Sequence, residues 1–437
     1  MATSENINNG INEKIKTEVK EEKNLYYKIN RINKDKLNYE NNKRRKRRNL
    51  TFIVCIMLLI ILAVVNMFSA NFYMIYSKGL KYFKSYLVYI GISLGCFVVG
   101  GFVNYKIYNR KRICSLIALI SIAILAFVWI AAGTLPKVVP NIKGAYGWIK
   151  IGTFTLQPAE FLKLPFIILL AHLFERVEKE KYRNIKVVLY VILIPLIFGI
   201  FICAQGDLGT TLHYIAILLF MLFLAQIDMK IIIGVTTVGF IGAGAAFYWI
   251  YNFMDMTTAH FRYRRIISFI TGLLTNEYDN AIGYQVWQSL IAFGSGGVIG
   301  KGYANGVQKY KYLPEVSTDF ILASYGEELG LIGMVILMAL LLTIFSLITK
   351  VAIEEKDYFG KYLVMGIGGY IITQVLINIY VALGMLPVFG IPMPIFSYGG
   401  SSLVTIFTSL GIILNVNNNK NIGNLTSKYK ILRYLGY

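Results

Sequence analysis

One stretch of this sequence, "YLPEVSTDFILASYGEELGLIG" (312–333), carries four carboxylates, three of them at or inside an apolar run where they could do chemistry. Asp319 stands at the threshold of a long apolar run, and Glu327 and Glu328 lie inside it. Pro314 and Thr318, just ahead of Asp319, mark a helix start. A carboxylate at such a start can simply complement the helix dipole. In a partly dry cleft it can instead act as a general base, with burial lifting its pKa toward a useful value. The residues alone leave both roles open. Glu327 falls about 12 Å further along a helix and about 80° round from Asp319, with Glu328 nearly opposite. The three therefore do not form one cluster, and the two glutamates read as packing or pairing partners.

Other polar residues have types and spacings that fit an anionic, sugar-bearing ligand. In "QPAEFLK", Glu160 and Lys163 occupy neighbouring positions on one helix face behind Gln157. They form either a structural ion pair or a polar floor on which Lys163 meets phosphate. In "QGDLGT", Asp207 is read first as the cap of a helix starting near Gly209. "HFRYRRIISF" brings Arg262, Arg264 and Arg265 together, a pattern suited to phosphate recognition by forked guanidinium donors. Gln285 and Gln288, flanking Trp287, are of the types that contact sugars through amides and aromatic faces. Glu315, in "LPEVSTDF", is a further candidate ligand. Ser401 and Ser402 follow two glycines at the start of an apolar run, which makes an anion-friendly helix end or a plain cap. Three scattered histidines and four cysteines in or beside apolar runs show no metal-ligand or disulfide pattern.

The elements that must position these residues are membrane spans. The chain has 437 residues, 56% of them hydrophobic, more than a soluble protein of this length uses. Its apolar runs have the length that crosses a bilayer as a helix. Ten are expected, at about 50–70, 83–103, 113–133, 159–175, 186–204, 209–226, 230–251, 319–349, 362–385 and 400–417. The fold class is an all-α polytopic membrane protein, with one long outward loop, 252–318, between spans 7 and 8. Residues 1–49, ending in "KRRKRR", read as a disordered basic cytoplasmic tail, and 418–437 as a second cytoplasmic tail. The net charge of +21 reflects these tails and short basic loops, so topology and membrane lipid explain it better than nucleic acid does. Pro136, Pro140, Pro158, Pro314, Pro387, Pro392 and Pro394 fall in or at the edges of three outward segments, 134–158, 252–318 and 386–399. Stiff, irregular backbone at membrane depth persists only where it is buried in protein or lines a watery cavity. The chemistry is therefore expected on the outer face.

Taken together, "LQPAEFLK", "QGDLGT", "RYRRIISF", "GYQVWQSLIAFGSGG", "QKYKYLPEVSTDFILASYGEELGLIG" and "LPVFGIPMPIFSYGGSS" closely resemble the SEDS family (shape, elongation, division and sporulation), from about residue 50 to 417. The resemblance implies a ten-span peptidoglycan glycosyltransferase of the bacterial cytoplasmic membrane, with both termini cytoplasmic. It implies lipid II as substrate and a class B penicillin-binding protein as transpeptidase partner, with other elongation or division machinery. It maps the family's essential acid onto Asp319 and its polar positions onto Gln157, Glu160 and Lys163. Positive charge for a leaving pyrophosphate would come from Arg262, Arg264, Arg265, Lys163 or a divalent cation, Mg or Mn. This sequence departs from the family at Gly147, where an arginine precedes the tryptophan, and at Gly206, where a proline is usual. Thr271 and Gly272 replace an acidic–proline pair. The last two departures are expected to change local stiffness only. Two rival readings are a lipid II flippase, whose path Glu160, Lys163 and Glu327 would line, and a non-catalytic scaffold for a penicillin-binding protein.

Overall fold

The computed structural model describes residues 39–142, 144–152, 154–180, 185–225, 229–254, 261–275 and 283–419. The amino-terminal tail up to position 38 and the carboxyl-terminal tail from position 420 lie outside the described residues. Two compact units divide at Val54. The described part of the first is the opening turns of α1 (Tyr39–Ala70).

Every expected span is helical. The helices are α1, α3 (Lys81–Phe102), α4 (Lys111–Ala131), α6 (Lys163–Glu180), α7 (Ile185–Ala204), α8 (Leu208–Leu224), α9 (Met229–Phe253), α12 (Ile321–Glu354), α13 (Tyr358–Ala382) and α14 (Gly400–Asn419). Six of them, α1, α3, α4, α12, α13 and α14, are long and apolar enough by themselves to cross a bilayer. The chain is an all-α polytopic membrane protein. One hairpin is the exception among the described residues: β1 (Ile149–Ile151) pairs antiparallel with β2 (Phe154–Leu156). Two short helices, α2 (Phe72–Lys78) and α5 (Pro158–Phe161), precede α3 and α6. The fourth expected span, 159–175, is therefore interrupted near its start. Leu162 ends α5, and α6 begins at Lys163.

α13 and α14 form the centre. Buried residues make up 67% and 78% of their apolar windows, against 22% for α3 and for α4, which present most of their surface outward. α13 has apolar residues all round and so suits a position enclosed by other helices.

The long segment between α9 and α12 is not a simple loop. It holds α10 (Phe261–Thr275) and α11 (Gly283–Gly296), and α11 packs along α12. The chain after α11 then enters a break in α12. Gly330 there has φ 62° and ψ −163°, a backbone conformation open essentially to glycine alone. The amides of Leu331 and Ile332 leave the helical ladder and donate to the carbonyls of Gly297 and Val298, at 3.0 and 3.1 Å. In return the carbonyls of Glu327 and Glu328 accept from the amides of Lys301 and Gly302, at 3.0 and 2.9 Å.

Both glutamates become pairing partners, as their angular separation from Asp319 led one to expect. Glu327 meets Lys301 Nζ at 2.7 Å and accepts from the amides of Val307 and Gln308. Glu328 meets the fully buried Lys309 Nζ at 2.7 Å and accepts from Ser69 Oγ and the amide of Ala304. A buried ion pair is tolerable only when its remaining lone pairs and protons are also satisfied; both oxygens of each glutamate have partners here, and Lys301 keeps exposed surface.

A methyl group at Gly330 would meet both the strained φ and the backbone of Gly300 and Val298. Gly330→Ala is expected to cost about 1–3 kcal/mol from the backbone conformation alone. The check is thermal unfolding in detergent, where the variant should melt several degrees below wild type; an unchanged midpoint would mean that the break closes without loss.

Candidate active site

A cavity of about 370 Å³ opens where the ends of several helices and the irregular segments meet. Its walls come from several distant places in the sequence. Gln157 and Glu160 belong to the start of α5, and Gly206 to Gly209 to the turn into α8. Arg265 and Ile266 come from α10, and Glu315, Thr318 and Asp319 from the approach to α12. The proline-rich segment 387–399 and the first residues of α14, including Ser401 and Ser402, complete it. The irregular backbone is thus buried in protein and lines a cavity, as its prolines required.

Asp319 is 8% exposed, and α12 begins two residues later. Glu315 takes a left-handed φ of 55°, so the chain turns sharply before Asp319. Thr318 Oγ1 donates to Glu315 Oε2 at 2.9 Å. Arg265 Nη1 donates to the Val388 carbonyl at 3.0 Å, so the guanidinium is anchored to the opposite wall. Burial lowers the Arg265 pKa, while the carboxylates of Asp319, Asp207 and Glu315 pull it back up. An arginine remains charged under such a shift, so one fixed cation faces several acids.

Asp207 caps α8 as its sequence position indicates. Its Oδ1 accepts from the Thr210 amide at 2.9 Å and its Oδ2 from Thr210 Oγ1 at 2.8 Å. It also lines the cavity, and Gln157 Nε2 donates to its Oδ2 at 2.6 Å. The Gln157 amide donates to Ser401 Oγ at 3.0 Å, so the start of α5, the cap of α8 and the start of α14 are tied together. Gly206 has φ +84°, which proline cannot adopt. That departure from the family changes the path of the turn, not its stiffness alone. At Gly147 a Cβ would lie 3.7 Å from Asp207 Oδ2, so any side chain there would start beside this carboxylate.

Several expected ligands stand elsewhere. Lys163 is fully buried, pairs with Glu160 and does not line the cavity. Its geometry is that of the structural ion pair and not of a phosphate contact. Arg264 is half-buried and does not line the cavity either, and its Nε has no hydrogen-bond partner. Arg264 and Arg265 therefore do not share the cavity, because successive helical positions point in different directions. The side chain of Arg262 lies outside the described residues. Gln285 and Gln288 sit on α11, away from the cavity lining. Residues that sequence reasoning missed include Tyr89, Trp148, Phe389 and Tyr398, which supply aromatic wall. Phe389 and Tyr398 lay inside a motif already singled out, and Trp148 follows Gly147 in the outward segment 134–158. Tyr89 lay within an apolar run and gave no signal. Among the described residues, no group of three or more His, Cys, Asp or Glu is placed to hold a metal.

Burial is the main cause that raises the Asp207 carboxyl pKa, and the two Thr210 hydrogen bonds oppose it. A raised carboxyl binds its proton more tightly in the folded state. Its contribution to stability is therefore gained as pH falls through the window between the raised and ordinary values, and lost as pH rises through it. Unfolding midpoints of wild type and Asp207→Asn, measured from pH 7 to pH 4, should diverge in favour of wild type on acidification. A difference independent of pH would contradict the shift.

The sequence and the fold both have known counterparts. The profile of the FtsW/RodA/SpoVE cell cycle proteins matches residues 49–422. A protein of Geobacter metallireducens named probable peptidoglycan glycosyltransferase FtsW is 32% identical over 387 residues, which cover 87% of this chain and 97% of that one. A protein of the same name from Haemophilus influenzae is 35% identical over 285 residues, 64% of this chain and 69% of that one. Among solved structures, a chain of a peptidoglycan synthase complex superposes with a TM-score of 0.67 at 20% identity, covering 85% of this chain and 97% of its own length. The rod shape determining protein RodA of Thermus thermophilus gives 0.55 at 23% identity, covering 84% and 96%. At these identities the two structures speak to the fold. With a profile that spans nearly all of the described residues and curated relatives above 30% identity, the chain belongs to the FtsW/RodA/SpoVE family of cell cycle proteins.

Proposed function

We propose that this protein is a peptidoglycan glycosyltransferase that polymerises lipid II at the outer face of the bacterial cytoplasmic membrane. One observation carries the reading. A single cavity holds a carboxylate, Asp319, at a helix threshold, with the anchored Arg265 and the amino-terminal end of α14 in its walls. Glycosyl transfer from a pyrophosphate needs these parts: a base for the incoming hydroxyl, and positive charge and amide donors for the leaving group. The name shared by the curated relatives is of the same kind.

The GlcNAc 4-hydroxyl of an incoming lipid II attacks C1 of the terminal MurNAc of the growing chain. Asp319 takes the hydroxyl proton as the new C–O bond forms. The bond from C1 to undecaprenyl pyrophosphate breaks, its electron pair leaves with the pyrophosphate, and the anomeric centre inverts. Arg265 offsets charge on the leaving phosphates. A class B penicillin-binding protein and further elongation or division machinery are the partners the family resemblance implies, and the distribution of basic residues supports a cytoplasmic side for both termini.

The flippase reading needs internal charges along a path. Here Glu160 is paired with Lys163 and Glu327 with Lys301, and neither Lys163 nor Glu327 lines the cavity.

General-base assistance is worth roughly 10²–10⁴-fold, so Asp319→Asn should lower polymer formation by about that factor. The assay is purified protein, alone and with its transpeptidase partner, supplied with labelled lipid II in detergent. Arg265→Ala should also slow the reaction, while Arg264→Ala should leave it within a few-fold of wild type. Equal polymer from wild type and Asp319→Asn would end the enzyme assignment, and lipid translocation by that variant in proteoliposomes would favour the flippase.

A further inference from the structure

Asp319 is the last turn residue but one before α12, and its backbone is not fixed by that helix. The amides of Ala323 and Ser324 both go to the Phe320 carbonyl. The Asp319 carbonyl instead accepts from Asn378 Nδ2, on α13, at 2.9 Å. The same Nδ2 donates to the Ile391 carbonyl at 2.8 Å. One side-chain amide thus joins the segment that carries the carboxylate to the segment that forms the opposing wall.

One helical turn earlier on the same face, Gln374 repeats the pattern. Its Nε2 donates to the Pro392 carbonyl at 2.7 Å and to Ser402 Oγ at 3.1 Å. Pro392, Ser402 and Asp319 all line the cavity, whereas Gln374 and Asn378 do not and have no exposed surface. A third link closes the arrangement: Ser397 Oγ donates to the Thr318 carbonyl at 2.5 Å and accepts from the Met393 amide at 2.8 Å. The surroundings of Asn378 are dry. Phe320, Ala323, Ile377, Val381, Val388 and Ile391 belong to one apolar cluster. Asn378 is fully buried and its Oδ1 has no hydrogen-bond partner among the described residues, so its two donated hydrogen bonds are what hold the side chain, and in a low-dielectric interior such bonds are stronger than at a surface.

We propose that Asn378 is a positioning residue for glycosyl transfer: from the rigid α13 it fixes the peptide of Asp319 against the wall at Ile391 and so sets where the carboxylate meets the acceptor hydroxyl. It touches no substrate and acts through Asp319. The inference rests on the reading of Asp319 as the base. A misplacement of about 1 Å far from the reacting atoms can cost on the order of 10²-fold in rate. Removal of the Asn378 amide should therefore lower kcat and leave substrate binding nearly intact.

The test compares Asn378→Ala with Asn415→Ala. Asn415 is another buried amide, near the far end of α14, where it accepts from the Tyr105 amide and donates to the Gly101 carbonyl. Polymerisation of labelled lipid II by full-length protein gives kcat and KM, and thermal unfolding in detergent gives stability. Asn378→Ala should lower kcat about 10–100-fold with KM within about threefold, while Asn415→Ala loses comparable stability and keeps its kcat. The proposal fails if Asn378→Ala keeps wild-type kcat, if only KM rises, or if both variants lose activity in proportion to their loss of folded protein. Should Asn378→Ala not be recovered folded, Ser397→Ala, which frees the Thr318 carbonyl on the same segment, carries the same expected kcat loss and the same grounds for rejection. Asp319→Asn assayed in parallel separates the two levels. If it polymerises normally the enzyme reading fails, and if it is inactive while Asn378→Ala is normal only the positioning role fails.

Discussion

A backbone amide or carbonyl inside a bilayer must find its partner within the protein, and α12 cannot satisfy its own. Its ladder stops at Gly330, and the amides and carbonyls released there are taken up by residues 297–302. This exchange permits a non-helical chain to lie alongside a membrane span. Lys301 and Lys309 then close on Glu327 and Glu328, so the charges in the middle of the apolar run serve the seam and not the chemistry. From the seam the chain returns through residues 303–318 to Asp319. The location of the carboxylate is the end result of how α12 is broken and refilled.

Two kinds of charge follow from this architecture. Glu160–Lys163, Lys301–Glu327 and Lys309–Glu328 are paired at short range, and Lys163 and Lys309 have essentially no exposed surface. Leaving any one of these buried charges without its partner would be costly. Asp319, Asp207, Glu315 and Arg265 line the cavity. The first group lies in ion pairs within the bundle; the second shares one cavity wall. Hydropathy does not separate them, since both interrupt apolar sequence. The separation appears only in which segments face each side chain.

The cavity is assembled from segment ends because regular helices leave no room for it. Most walls are places where a helix starts or a chain turns, with Tyr89 of α3 and Arg265 and Ile266 of α10 the exceptions, and side-chain amides tie the segments together: Gln157 to Asp207, Gln374 to Pro392 and Ser402, Asn378 to Asp319 and Ile391. Asn and Gln suit this work because a neutral amide can bind two carbonyls or hydroxyls without bringing a charge into the dry interior.

The spans, the helix threshold at Asp319, the cap at Asp207 and the separation of Glu327 and Glu328 from the acid at 319 were legible in the sequence. All depend on local rules: the length of an apolar run, the preference of helix starts for certain residues, and rotation per residue along a helix. The fate of Lys163, the separation of Arg264 from Arg265, the path of the turn at Gly206 and the aromatic wall at Tyr89 were not legible. They depend on which distant segment faces each side chain. The chain by itself determined a membrane bundle with polar residues at its helix ends. Only the tertiary structure decided which of those residues share a cavity, because that depends on contacts between segments hundreds of residues apart, on which local pattern has no hold.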